Sequence, residues 1–411
     1  MLKIVIPDPG LREYGGHHPA MINSIANTQA VINGDIQLEV YCNKACSTDF
    51  ITATQSKQVS IKKHFNTDFY QHFYQSPSLA TLNAYINQLT KEYLNVFEQH
   101  TRHEEAHTKS ENSKTLFLYH TLNGEHATAL ASAIAIYNKH NTKPLHHCIF
   151  LMYNPIKYND TGHFNNQHFL NFKLGFSLLA KQENVQYFAS EDELQQNYQY
   201  LLSNSSIQQK ISIHPCGLLS QYKNSNKKTK RIIVFTGDAK VNKGFLTLPD
   251  TLGQLSKSIT DSDVEFIIQY TITNDGEALK KIDEQLQHQA KQDSRIKLTT
   301  RFWSHTELHE NFAKANSIVF NYDSSVYQYQ SSGVLWLAAS YNLKMLFLTS
   351  NWLMREAEKL ECEYTHSSKV NFSQEIHKYL MQNNTYFDKV QANNYRALLF
   401  QDIGEWLLKK A

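Results

Sequence analysis

Short apolar runs alternate with helically spaced segments along nearly the whole chain, and this alternation restricts the fold more than any other feature. Residues 3–7 form a first strand, followed by the glycine- and proline-rich loop DPGLREYGGHHP. The next segment places Met21, Ile22, Ile25, Ala26, Ala30 and Val31 at helical spacing, and residues 36–41 are a second strand. A strand–loop–helix–strand opening of this kind predicts a doubly wound parallel sheet. Further strands are expected at 115–119, 147–153, 185–189 and 211–214, each followed by a polar turn. The same pattern restarts at residue 232, with strands expected at 232–235, 264–269, 296–299, 317–321 and 345–349. The expected class is therefore α/β, with two Rossmann-like doubly wound domains facing a central cleft.

The sequence has 411 residues, enough for two domains of roughly 150–200 residues each. The expected division is 1–220, a polar linker 221–230 (QYKNSNKKTK), a second domain 231–371, and C-terminal helices 372–411 packing back toward the first domain. Residues 50–75 fit neither period well. The basic, aromatic stretch from Lys57 to Tyr74 reads either as an insertion packed on the first domain or as an acceptor or membrane-surface lobe.

A net charge of +2 gives no reason to expect a nucleic-acid partner. Neither a secretory signal nor an apolar run long enough to span a bilayer is visible. The five cysteines are scattered without a C-x-x-C pair, as in a reduced cytoplasmic protein. The inner face of a membrane is a second place for such a chain.

One loop points to chemistry. Residues 231–245, RIIVFTGDAKVNKGF, read as strand, glycine turn, lysine and helix start. Backbone N–H groups at such a turn, together with Lys243, suit an anionic group. Gly15 and Gly16 follow the first strand, where bare backbone permits close approach of a ligand. His120 stands at the carboxyl end of the strand LFLY.

With these loops in place, the chain resembles a GT-B glycosyltransferase of the retaining, family-4-like group that uses nucleotide sugars. The resemblance rests on Gly15-Gly16, His120, Gly237…Lys243-Gly244 and Ser331-Ser332-Gly333…Ala338. It implies catalytic roles for His120, at the donor sugar, and for Lys243, on the donor diphosphate. It implies a donor site made by Gly15, Gly16, Gly237, Lys240, Lys243, Tyr329, Gln330, Ser331, Ser332, Gly333 and Val334. His17 and His18 would face an acceptor.

The family pattern has glutamates where this chain has Gln330 and Leu337, and leucine cannot accept hydrogen bonds from a ribose. The expected activity is transfer of a sugar from a nucleoside-diphosphate sugar to a glycan, lipid or protein acceptor, with retention. A GT-B-like binding or scaffold protein without transfer activity, and a nucleotide-sugar epimerase, are the alternatives. No Asp-x-Asp motif stands where it would meet the donor, so no metal or further cofactor is expected. Peripheral membrane contact is compatible with the basic stretch.

Overall fold

The computed structural model describes residues 1–12, 16–72, 78–106, 114–158, 163–203, 210–219, 231–260, 263–272, 276–366, 379 and 393–411. Gly15, the expected linker 221–230 and most of the expected C-terminal helical stretch before residue 393 lie outside the described residues. The chain divides into two compact units, Met1–Gly217 with Gln401–Ala411, and Leu218–Phe400.

Among the described residues, the first unit holds seven parallel strands: β1 (Leu2–Asp8), β2 (Ile36–Asn43), β3 (Val59–Phe65), β4 (Lys114–Tyr119), β5 (His147–Leu151), β6 (Val185–Ala189) and β7 (Ser212–Ile213). Their order is β3-β2-β1-β4-β5-β6-β7, so the winding reverses between β1 and β4. The strand sequences are nearly continuous apolar runs because both faces of the sheet are covered. Val5, Phe117, Tyr119 and Ile149 enter one core. Their neighbours Ile4, Ile6, Leu116, Leu118, Cys148 and Phe150 enter the other.

The C-terminal helix Ile403–Lys410 belongs to this second core. Trp406 packs edge-on against Phe188, with ring centroids 4.7 Å apart. Burying a side chain of that size stabilises by roughly 2–3 kcal/mol.

β3 is a strand that the sequence reading did not find. It lies at the sheet edge, where only Val59, Ile61 and Phe65 are buried and Lys62 and Lys63 are exposed. Glu39 of β2 accepts an ion pair from Lys62 and another from Lys3 at 2.7 Å. The lysines that suggested a basic lobe are therefore, in part, the polar face of an edge strand.

The second unit holds β8 (Arg231–Asp238), β9 (Val264–Thr271), β10 (Ile296–Thr299), β11 (Ser317–Phe320), β12 (Lys344–Phe347) and β13 (Tyr364–His366). All pair in parallel in the order β10-β9-β8-β11-β12-β13, so here the winding reverses between β8 and β11. Three-residue β13 was too short to read from sequence.

The helix expected from Lys243 begins later, at Leu248, after two 3-10 turns at Val241–Lys243 and Phe245–Thr247. Gly244, at φ 72°, separates those turns, and its left-handed backbone cannot continue a helix.

Among the described residues, no helix is long and apolar enough to cross a membrane.

Candidate functional site

Open α/β sheets bind ligands outside the carboxyl ends of their strands, at the point where the strand order reverses. Each unit has one such point.

In the second unit, β8 drives its buried residues Ile233, Val234 and Phe235 into the core and emerges at Gly237. Gly237 has φ 143°, and a Cβ there would lie 3.3 Å from Lys243 Nζ. The bare glycine lets the lysine lie across the strand end. At Gly244 a Cβ would meet the Asn321 carbonyl oxygen at 1.8 Å. The Asn321 amide donates back to the Gly244 carbonyl at 3.2 Å, and the Asp323 N–H donates to the Asn242 carbonyl at 2.8 Å. The β8 loop is thus fixed to the segment that follows β11.

Asp238 sits between two ammonium groups, with Oδ2 2.9 Å from Lys240 Nζ and 3.7 Å from Lys243 Nζ. Burial would raise the Asp238 carboxyl, but the two lysines outweigh it and hold it below the usual carboxylate range. Burial draws the Lys243 ammonium down, against the pull of Asp238. Gly237, Asp238, Lys243, Gly244, Gln269 and Tyr322 line a cavity of about 40 Å³. That is small beside the roughly 300–1,000 Å³ of a ligand pocket.

The later motif stands close by. Tyr322 places its buried hydroxyl beside Ser332 and 3.8 Å from where a Gly237 Cβ would be. Ser332 precedes the helix Gly333–Ser340 without capping it, and a Cβ on Gly333 would meet nothing within 4 Å. Ser331 and Val334 are half-buried and Gln330 is exposed. Tyr329 lies under the Arg355 guanidinium, 6.0 Å from it. Leu337 is buried, on a helix whose residues Leu335 to Ser340 all face the core. No carboxylate replaces it from that helix.

In the first unit, the helix His17–Ala26 starts after Gly16, which is exposed at φ 95°. His17 is exposed, whereas His18 turns inward and is 4% exposed. His120, directly after β4, is 3% exposed. Both imidazoles meet Asp8, the last residue of β1. His120 Nε2 is hydrogen-bonded to Asp8 Oδ2 at 2.8 Å, and His18 Nδ1 lies 2.8 Å from Asp8 Oδ1. Burial would raise the Asp8 carboxyl, yet the two histidines hold it far below the carboxylate range.

The far nitrogens are also engaged: His18 Nε2 with Tyr70 Oη at 3.0 Å, and His120 Nδ1 with Thr121 Oγ1 at 3.0 Å. Asp8 and Tyr70 were missed in the sequence. Asp8 carried a usable signal, an acid at the carboxyl end of the first strand. Tyr70 carried none.

No family model matches the sequence, and no curated protein matches it. Solved structures do match in shape. The N-terminal domain of Candida albicans trehalose-6-phosphate phosphatase superposes with a TM-score of 0.65 at 9% identity, over 99% of this chain and 95% of that one. UDP-GlcNAc 2-epimerase from Neisseria meningitidis, bound to UDP-GlcNAc, gives 0.59 at 13% identity over 100% and 99%. The lipopolysaccharide outer core galactosyltransferase WaaB in its apo form gives 0.53 at 12% identity over 100% of both chains.

The chain has the GT-B fold.

Within this GT-B frame the second unit offers a fixed cation to an anion, and the first offers a buried carboxylate with two imidazoles. The former can stabilise a negatively charged leaving group; the latter can hold or move a proton.

Proposed function

We propose that the chain binds a nucleoside-diphosphate sugar and transfers its sugar, with retention, to a glycan, lipid or protein acceptor. The observation that carries this reading is the position of Lys243. It lies across bare Gly237 at the carboxyl end of β8, at the strand reversal of the second sheet. There Lys243 and Lys240 would take the diphosphate. Negative charge grows on that group as the glycosidic bond breaks, and a fixed cation in a partly dry site stabilises it more than water would. His120, its ring held by Asp8, is the proposed catalytic histidine of the first unit. Ser331, Ser332, Gly333 and Val334 would receive the remaining donor oxygens. A galactosyltransferase and a UDP-GlcNAc-bound epimerase among the GT-B neighbours support a nucleotide-sugar ligand.

A second reading, epimerisation of a nucleotide sugar, is favoured by the Asp8–His18–His120 cluster, which supplies proton-transfer groups.

One experiment separates the readings. The protein is incubated with a panel of nucleotide sugars, with and without candidate acceptors. Free nucleoside diphosphate and a glycosylated acceptor of unchanged anomeric configuration support transfer. An isomerised donor without acceptor supports epimerisation. Binding without any turnover assigns the chain to the non-catalytic alternative that Leu337 suggests. Absence of binding by every donor refutes the proposal.

A further inference from the structure

Asp8, His18 and His120 come from three separate elements: the end of β1, the first turn of the following helix, and the residue after β4. One oxygen or nitrogen from each lies within 4.8 Å of the others, and all three residues are buried. We propose that these residues form a binding site for a divalent transition metal of the Zn2+ class. The proposal does not depend on the reading of the second unit as a donor site.

The ligand chemistry fits. Two imidazoles and one carboxylate are a borderline N/O set that suits Zn2+ and not Mg2+, which prefers oxygen ligands in octahedral array. Zinc bonds of about 2.0–2.2 Å put tetrahedral ligands roughly 3.3 Å apart. Asp8 stands 2.8 Å from each histidine, so a small outward shift of the rings accommodates the ion.

The hydrogen bonding around the cluster is that of oriented ligands. Metal-bound imidazoles usually anchor their other nitrogen, which fixes the ring and its tautomer. Here His18 Nε2 meets Tyr70 Oη, and His120 Nδ1 meets Thr121 Oγ1. The Thr121 hydroxyl donates to the His120 carbonyl at 2.8 Å, which leaves its oxygen to accept from Nδ1–H. A ring protonated at Nδ1 turns Nε2 toward Asp8 Oδ2. Those atoms, 2.8 Å apart, share a hydrogen bond in the place a metal ion would take. Asp8 Oδ1 in turn accepts the Gly10 N–H at 2.9 Å.

A second, independent observation comes from His18. Its Nδ1 is buried and lies 2.8 Å from Asp8 Oδ1 without a hydrogen bond of good angle. A nitrogen directed beside the carboxylate oxygen is placed to share a third body with it. The loop is shaped around this ring: a Cβ on Gly10 would sit 2.2 Å from His18 Cε1. Three protein ligands leave one tetrahedral position for water or a substrate atom, the arrangement of catalytic rather than structural zinc sites.

The full chain, stripped with chelator, is titrated with ZnCl2 and, separately, MgCl2 by calorimetry. The expected result is one Zn2+ per chain, proton release on binding, and no saturable Mg2+ site. His18→Ala and His120→Ala should each weaken Zn2+ at least tenfold. His305→Gln with His309→Gln, which removes a close histidine pair elsewhere (ring centroids 4.3 Å), should leave affinity unchanged. If the first two variants do not fold, X-ray absorption of the zinc-loaded wild type decides: nitrogen and oxygen at about 2.0–2.2 Å with imidazole scattering is expected. The proposal is overturned by absent zinc binding, in which case a proton alone joins the cluster. It is also overturned by binding that survives loss of His18 and His120 in folded variants, or by a sulfur shell from Cys42 and Cys46.

Discussion

His120 Nε2 and Asp8 Oδ2, 112 residues apart in sequence, meet at 2.8 Å and tie the carboxyl ends of β4 and β1 together at the strand reversal of the first sheet. Both are 3% exposed, so removing His120 takes from the buried Asp8 carboxylate one of its two imidazole partners. His120→Phe should cost about 3 kcal/mol in urea unfolding. The double variant with Asp8→Asn should cost clearly less than the sum of the singles. Additive losses would show that the contact carries no coupling.

Asp238 occupies the space between Lys240 and Lys243 that the proposed diphosphate needs. Asp238→Asn removes a competing negative charge without removing the side chain. UDP affinity should rise by three- to tenfold, that is by roughly 0.7–1.4 kcal/mol. Weaker binding would mean that Asp238 positions the lysines for the ligand and does not oppose it.

Two glycines give opposite expectations. Gly244 is left-handed, and an added Cβ would overlap the Asn321 carbonyl at 1.8 Å. Gly244→Ala should lower stability by about 2 kcal/mol or more and weaken UDP binding. At Gly333 an added Cβ meets nothing within 4 Å, so Gly333→Ala should change stability by about 0.5 kcal/mol or less. Thermal and urea unfolding of both variants checks the contrast.

His147 supplies a pH dependence away from both candidate sites. Burial lowers its pKa to about 3, while Tyr119 Oη lies 3.1 Å from its Nδ1. Between pH 6.5 and 3 the unfolded chain binds a proton at this residue that the folded chain does not. Its contribution is therefore complete above pH 6.5 and is lost as pH falls toward 3, at about 1.4 kcal/mol per pH unit. Urea unfolding from pH 7.5 to 4.5 should show a slope shallower by about that amount in His147→Gln. Equal slopes would contradict it.

The alternation of apolar runs and helical spacing made the doubly wound architecture legible, because strands covered on both faces are apolar throughout. β3 was hidden because it is an edge strand with lysines on its open face. The extra turns before Leu248 were hidden because Gly244 is left-handed and packs against Asn321, 77 residues away. His120 could be read as a site candidate because it follows an apolar run directly, and Lys243 because it stands between a glycine turn and an expected helix start. The Asp8–His18–His120 cluster could not, because only the pairing of β1 with β4 brings Asp8 to His120. Leu337 remains a departure from the resembling family, and its burial explains why leucine suits this helix without supplying a ribose ligand.

In the proposed function, the β8 loop of the second unit holds a nucleoside diphosphate through Lys243. Calorimetric titration of the full chain and of Lys243→Ala with UDP and UDP-GlcNAc tests it most directly. Saturable binding by the wild type is expected, with at least tenfold weaker binding by a variant that unfolds at the same temperature. Binding of equal strength in the folded Lys243→Ala protein would contradict it.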